Sequence, residues 1–279
     1  MREAVIVSAV RTPLGSFNGT LANMGATKLG ALVIEEAIRR AGIAKEEVNE
    51  TIMGLVLPCG YGQNPAKQAT VQAGMPWEVE SVTINKVCGS GLKAVMLAAQ
   101  AVQVGDADVV VAGGMENMSM APYFLKKARF GFRMGDGTLH DHMLHDGLWD
   151  IVNDFHMGIS NELCSERYQI SREDQDRYAA ESYRRALAAQ TAGRFEKEIV
   201  SVAIPQRKGD PKIFDQDECF KHPKCPEIDQ PRVDQPPFPA ARCEKCKPGI
   251  PDAPAADGHG HKAGDLPGKN RRHLFGHEE

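Results

Sequence analysis

The sequence predicts an α/β fold: a mainly parallel sheet with helices on both faces, an inserted helical region and a proline-rich tail expected to be disordered. Three observations predict it. Short β-branched runs alternate with apolar-periodic stretches through the first 120 residues. One run, Asp108-Val109-Val110-Val111-Ala112, is continuously apolar after its aspartate, as strands covered on both faces are. Composition then changes abruptly: ten of the 17 prolines and four of the seven cysteines (Cys219, Cys225, Cys243, Cys246) fall from Cys219 onward, where apolar periodicity ceases.

The elements follow in order. Residues 4–9 form a β-branched run and read as the first strand, followed by a turn-rich loop over 11–25. Residues 28–41 place Leu29, Leu32, Val33, Ala37 and Ile38 on one helical face, and Gly42 supplies the stop. Residues 51–57 read as a strand, and a helix over 65–72 opens on Pro65, which suits a first-turn position. Residues 82–86 form a strand feeding a helix that ends near Gly105, and residues 108–112 form the next strand. Residues 121–204 change to a mainly helical pattern, in which Ser171-Arg172-Glu173-Asp174 resembles a capping box and Gly193 ends the helix it opens.

Bulk properties exclude several classes. A net charge of −4, with 42% hydrophobic and 25% charged residues, gives no reason to expect nucleic acid or an anionic membrane as partner. The start shows no signal-peptide pattern and no apolar run is expected to span a membrane, so a cytoplasmic protein with reduced thiols is expected.

The chemistry points to Asn85-Lys86-Val87-Cys88-Gly89-Ser90-Gly91-Leu92. A thiol here follows a strand and precedes a long helix, whose free N–H groups favour a thiolate. Gly89 and Gly91 carry no Cβ, so an acyl group could lie close to the backbone. The residues alone leave two readings open, a nucleophilic cysteine on a strand-to-helix elbow and a buried structural cysteine. His156, read alone, is more often a surface or satisfied core histidine than a site residue. Gly113-Gly114-Met115-Glu116 reads as a tight turn, and residues 60–69 as a solvated loop and helix start. His140, His142 and His145 with Asp141 and Asp146 make a metal site conceivable, as does Cys243-Glu244-Lys245-Cys246, although its surrounding spacings match no common zinc finger.

Five segments in order carry a family resemblance: Val7-Ser8-Ala9-Val10-Arg11-Thr12-Pro13, Gly60-Tyr61-Gly62-Gln63-Asn64-Pro65, the cysteine elbow, Ala112-Gly113-Gly114-Met115-Glu116-Asn117-Met118-Ser119 and His156-Met157-Gly158. Together they resemble the thiolases of acetyl-CoA acetyltransferase type. The resemblance implies a core over 1–120, a loop domain over 121–218 covering coenzyme A, and a non-family tail over 219–279. It implies condensation of two acetyl-CoA to acetoacetyl-CoA plus coenzyme A, with Cys88 as acyl-thioester nucleophile and its backbone N–H as an oxyanion donor. Gly89, Met115, His156 and Met157 would bind substrate, with His156 and Met157 restricting the pocket to short chains. Gln63, Asn64 and Lys67 would lie at the interface of a homodimer or homotetramer. No metal and no cofactor beyond the coenzyme A thioesters are implied. The family's Gly-His-Pro and Cys-x-Gly-Gly-Gly motifs, which carry its histidine and second cysteine, do not occur in these 279 residues. The resemblance is read to end near Asp217-Glu218-Cys219, with a shifted reading frame as the expected origin of the tail and impaired condensation as the consequence. A thiolase-like subunit that binds acyl-CoA or docks to an intact homologue, and a zinc-binding adaptor built from the tail, are the alternative functions.

Overall fold

Alternate residues of a central strand face opposite sides of a sheet, and here each side has its own helices. In a computed structural model, which describes residues 2–218, β1 (Glu50–Gly54) lies between β2 (Glu80–Ile84) and β3 (Val110–Gly114). Both pairings are parallel, and Ile52 sits opposite Val82 on one side and Ala112 on the other. Met53 and Leu55 pack with α1 (Ala26–Ala41) and α2 (Pro65–Gln72) in the main core, which includes Ile34, Ile38, Ala69 and Met75. Ile52 packs instead on Ala94 and Ala98 of α3 (Ser90–Val104). This confirms the parallel sheet with helices on both faces.

Local chemistry sets the helix ends. Asn64 caps α2 by accepting from the Lys67 N–H, and Pro65 occupies the first turn. Gly42 and Gly105 end α1 and α3 in the left-handed conformation. Ser171 caps α5 (Arg172–Thr191) through the Asp174 N–H.

Four expectations are corrected. Residues 4–9 form no strand, since Val5, Ile6 and Val7 are 65% to 77% exposed and pair with no neighbour; strand propensity without a buried face does not suffice. The strand β3 is half-buried, because it is an edge of the described sheet. The 121–204 region is helical in its longest elements but is not helix alone. Besides α4 (Met157–Arg167) and α5 it holds the hairpin of β4 (Tyr123–Leu125) with β5 (Leu139–Asp141), and that of β6 (Trp149–Asp150) with β7 (Phe155–His156). Finally, Val87–Val104 is long and apolar enough to cross a membrane by length and composition alone. Its Ala94 and Ala98 lie on the sheet, and Leu92, Met96 and Val104 are exposed.

A last hairpin, β8 (Val202–Ile204) with β9 (Lys212–Phe214), packs Val202 and Phe214 on Leu21 and Leu29. The expected disordered tail and the Cys243/Cys246 pair lie outside the described residues.

Candidate active site at the Cys88 elbow

Three glycines bring the first turn of α3 onto the carboxyl ends of two strands. A Cβ at Gly54 would lie 2.6 Å from the Ser90 Cβ and 2.7 Å from the Ser90 carbonyl carbon. One at Gly114 would lie 3.3 Å from the Gly91 Cα. A Cβ on Gly91 itself would face the strand too, at an ordinary 3.6 Å from the Gly114 nitrogen, so the close approach is set by Gly54 and Gly114. Gly89 differs: only Lys86 of its own turn lies within 4 Å of a Cβ built there.

Between β2 and α3 the chain turns over five residues, 85–89. Gly89 N–H donates to Lys86 O (3.1 Å) and Ser90 N–H to Val87 O (3.0 Å). Ser90 Oγ accepts from Lys86 N–H (2.8 Å) and donates to Val87 O (2.6 Å), so this buried hydroxyl stitches the turn shut. Val87 has φ of 47°, a left-handed conformation that is an outlier for a β-branched residue. Cys88, next in the chain, is a free and exposed thiol. The buried-structural-cysteine reading does not fit this exposure. Among the described residues the Gly91 and Leu92 amides have no acceptor in the preceding loop, as is normal for a helix start. An exposed sulfur three and four residues before such amides can attack a carbonyl carbon whose oxygen turns toward N–H donors.

The other predicted residues are placed as follows. His156 caps α4, its Nδ1 accepting from Gly158 N–H at 3.0 Å, so any proton on the neutral ring resides on Nε2. Met157 is the first residue of α4 and is partly exposed. No hydrogen bond among the described residues joins either one to the elbow. Met115 is buried in the main core, its thioether against Gly30 of α1, so it serves packing and not an open acyl surface. Gln63 is exposed, and its carbonyl accepts from Gln68 Nε2. Asn64 and Lys67 have roles within the chain. Asn64 Nδ2 donates to Ser81 O, and Lys67 Nζ donates to the Val79 and Trp77 carbonyls, 5.1 Å from the Trp77 ring centroid.

The histidine cluster is not poised for metal. His142 Nδ1 meets Asp146 Oδ2 at 2.6 Å, and its Nε2 accepts from Cys59 N–H at 3.3 Å. His145 engages Asp146 and Lys126 through its two nitrogens. Among the described residues no group of three His, Cys, Asp or Glu side chains could hold a metal ion.

Two residues that matter at the elbow were missed or undervalued from sequence. Asn85 bonds both within the turn and to Val56, and Glu116 accepts from the Val56 and Leu57 amides. Burial pushes the Glu116 carboxyl up, against the pull of those two amides and His142. The one signal that sequence offers is the asparagine itself, whose side chain commonly bonds the backbone two residues on.

Comparison with known proteins gives the family. A family model described as "Thiolase, N-terminal domain" matches residues 4–228, which runs past Asp217-Glu218-Cys219, where the resemblance is read to end, and into the expected non-family tail. An acetyl-CoA acetyltransferase of Cupriavidus necator is 58% identical over 221 residues, 79% of this chain and 56% of that protein. One from Pseudomonas aeruginosa is 53% identical over 218 residues, covering 78% and 56% respectively. One from Syntrophomonas wolfei is 51% identical over 225 residues, covering 80% and 56%. The chain thus spans little more than half the length of these curated relatives.

Proposed function

The chain belongs to the thiolase family, and from that premise we propose that it transfers an acetyl group from acetyl-CoA to Cys88. The Cys88 sulfur attacks the thioester carbonyl, the tetrahedral adduct expels the coenzyme A thiolate, and the Cys88 proton ends on coenzyme A. Donors at the start of α3, including the Cys88 N–H, would stabilise the oxyanion of that adduct. The observation that carries the reading is the exposed Cys88 thiol on a strained, hydrogen-bonded elbow before α3.

The full reaction proposed is that named for the relatives, acetyl-CoA C-acetyl transfer, giving acetoacetyl-CoA from a second acetyl-CoA. Short-chain preference is proposed to come from His156 and Met157 at the start of α4. Residues 121–218 are proposed to cover coenzyme A, and Gln63, Asn64 and Lys67 to lie near a partner in a homo-oligomer. A cytoplasmic setting belongs to the same proposal and is supported by the free thiols Cys59, Cys88 and Cys164. A second reading, a subunit that docks to a longer homologue, is favoured by the exposed Leu92, Met96 and Val104 of α3. Co-purification with such a homologue would support it.

Incubation with acetyl-CoA followed by intact-mass measurement tests the leading reading: one adduct of ~42 Da is expected, mapping to Cys88 and absent from Cys88→Ala. No adduct on the folded chain would remove the transferase reading.

A further inference from the structure

We infer that Asn85 and Glu116 are positioning residues for Cys88, acting through the strained backbone of Val87; the functional meaning of this rests on the nucleophile reading above. Val87, half-exposed and β-branched, is held at φ of 47° with little burial of its own side chain to keep it there. Hydrogen bonds must hold it: Ser90 grips the Val87 carbonyl, and the bonds that start at the Val87 N–H form a relay. The Val87 N–H donates to Asn85 Oδ1 at 2.8 Å. Asn85 Nδ2 donates to Val56 O at 3.2 Å. The Val56 N–H in turn donates to Glu116 Oε2 at 2.7 Å, and the Leu57 N–H to Glu116 Oε1 at 3.3 Å. The segment after β1 is thus a rigid bridge, held by a carboxylate after β3 and gripping the residue before the nucleophile.

The chemistry of the relay admits few substitutes. Asn85 must offer an acceptor to an amide N–H and a donor to a carbonyl, so its orientation is fixed and an aspartate would set oxygen against oxygen at Val56. Glu116 must accept twice from adjacent amides, which a glutamine can do at one oxygen only. With the relay cut, the Ser90 bonds to the Val87 carbonyl remain but the N–H is released, so Val87 can turn toward a negative φ and carry Cys88 away from the start of α3.

The test reads Cys88 directly. Iodoacetamide alkylation is followed by peptide mass spectrometry from pH 6 to 9, with exposed Cys164 as internal reference. Asn85→Asp and Asn85→Ala are expected to slow Cys88 about tenfold relative to Cys164, and Glu116→Gln to slow it less. Adding Val87→Gly to Asn85→Ala is expected to restore the rate to within about twofold, because glycine takes positive φ without strain. An unchanged Cys88 rate in Asn85→Asp, or no rescue by Val87→Gly, overturns the inference. Should the Asn85 variants unfold, Val87→Gly alone decides: an unchanged or raised melting temperature supports stored strain, and a fall of more than about 3 °C refutes it. Wild-type acetylation by acetyl-CoA is scored separately, so a protein that is alkylated but never acetylated counts against the nucleophile reading and not against the relay.

Discussion

Arg11 and Asp217 form a two-pronged ion pair across almost the whole described chain: Nη1 lies 2.7 Å from Oδ1 and Nη2 3.0 Å from Oδ2. The Asp217 side chain is 3% exposed, and its Oδ1 also accepts the Leu14 N–H. Removing the guanidinium would strand a buried carboxylate. Arg11→Ala is therefore expected to cost about 3 kcal/mol in urea unfolding, whereas Arg39→Ala, which breaks a solvent-exposed pair with Glu36, should shift the unfolding midpoint far less.

The same corner predicts acid sensitivity. Burial opposes ionisation of Asp217, but the Arg11 hydrogen bond and the Leu14 N–H outweigh it and hold the carboxyl below its usual range. Glu218 is lowered likewise, burial being overcome by bonds from Ser16 and Thr20. A carboxylate with a depressed folded pKa adds stability that is complete above its unfolded value and lost as pH falls through the folded one. The melting temperature should hold steady from pH 7 to about 5 and fall below about pH 4. Asp217→Asn should lower the neutral-pH value and flatten that fall, and an equally steep fall in the variant would sink the account.

How legible a feature was depended on how local its cause is. The helix over Pro65–Gln72 was read with its bounds because the cap Asn64 and the first-turn Pro65 are neighbours in sequence. α1 begins two residues before the reading, since Gly25 provides no side-chain cap to mark the start. The strand expected at 4–9 failed for the opposite reason. Val5, Ile6 and Val7 have the propensity, but pairing and burial are tertiary events that no window of the chain encodes. At the site, Cys88 on an elbow was visible from its glycines, whereas the need for Gly54 and Gly114 where β1 and β3 meet the first turn of α3 was not. What a glycine makes room for depends on a partner far along the chain, as Met115 facing Gly30 and not an acyl group also illustrates.

Asn117 offers a sharper test of buried polar satisfaction. Its Nδ2 lies 3.0, 3.3 and 2.7 Å from the carbonyl oxygens of Leu21, Ala22 and Met24, and its Oδ1 accepts the Ser119 N–H. Asn117→Ala leaves those carbonyls short of a donor and should cost about 1–3 kcal/mol. Asn117→Asp should cost more despite its matching shape, because a carboxylate oxygen would face three carbonyls. Its deficit should grow as pH rises through the range where that carboxyl ionises and shrink at low pH, which unfolding at pH 4 and pH 7 would compare.

Two glycine substitutions separate tight packing against backbone from tight packing against a movable side chain. At Gly54 a Cβ would meet the Ser90 Cβ at 2.6 Å, the Ser90 carbonyl carbon at 2.7 Å and the Gly91 nitrogen at 2.8 Å, and helix backbone cannot step aside alone. At Gly30 the closest atom, at 2.6 Å, is the Met115 sulfur, the flexible part of an adaptable side chain, with the Ala69 Cβ at 3.2 Å. Gly30 also lies inside α1, where alanine gains up to about 1 kcal/mol of helix propensity. Gly54→Ala should therefore destabilise by about 1–3 kcal/mol, while Gly30→Ala stays within about 1 kcal/mol of wild type. Only Gly54→Ala moves the first turn of α3, so it should also slow modification of Cys88 in the fraction that remains folded. Equal losses of stability from the two changes, or an unaltered Cys88 rate in folded Gly54→Ala, would mean that the contact of β1 with α3 does not set the elbow.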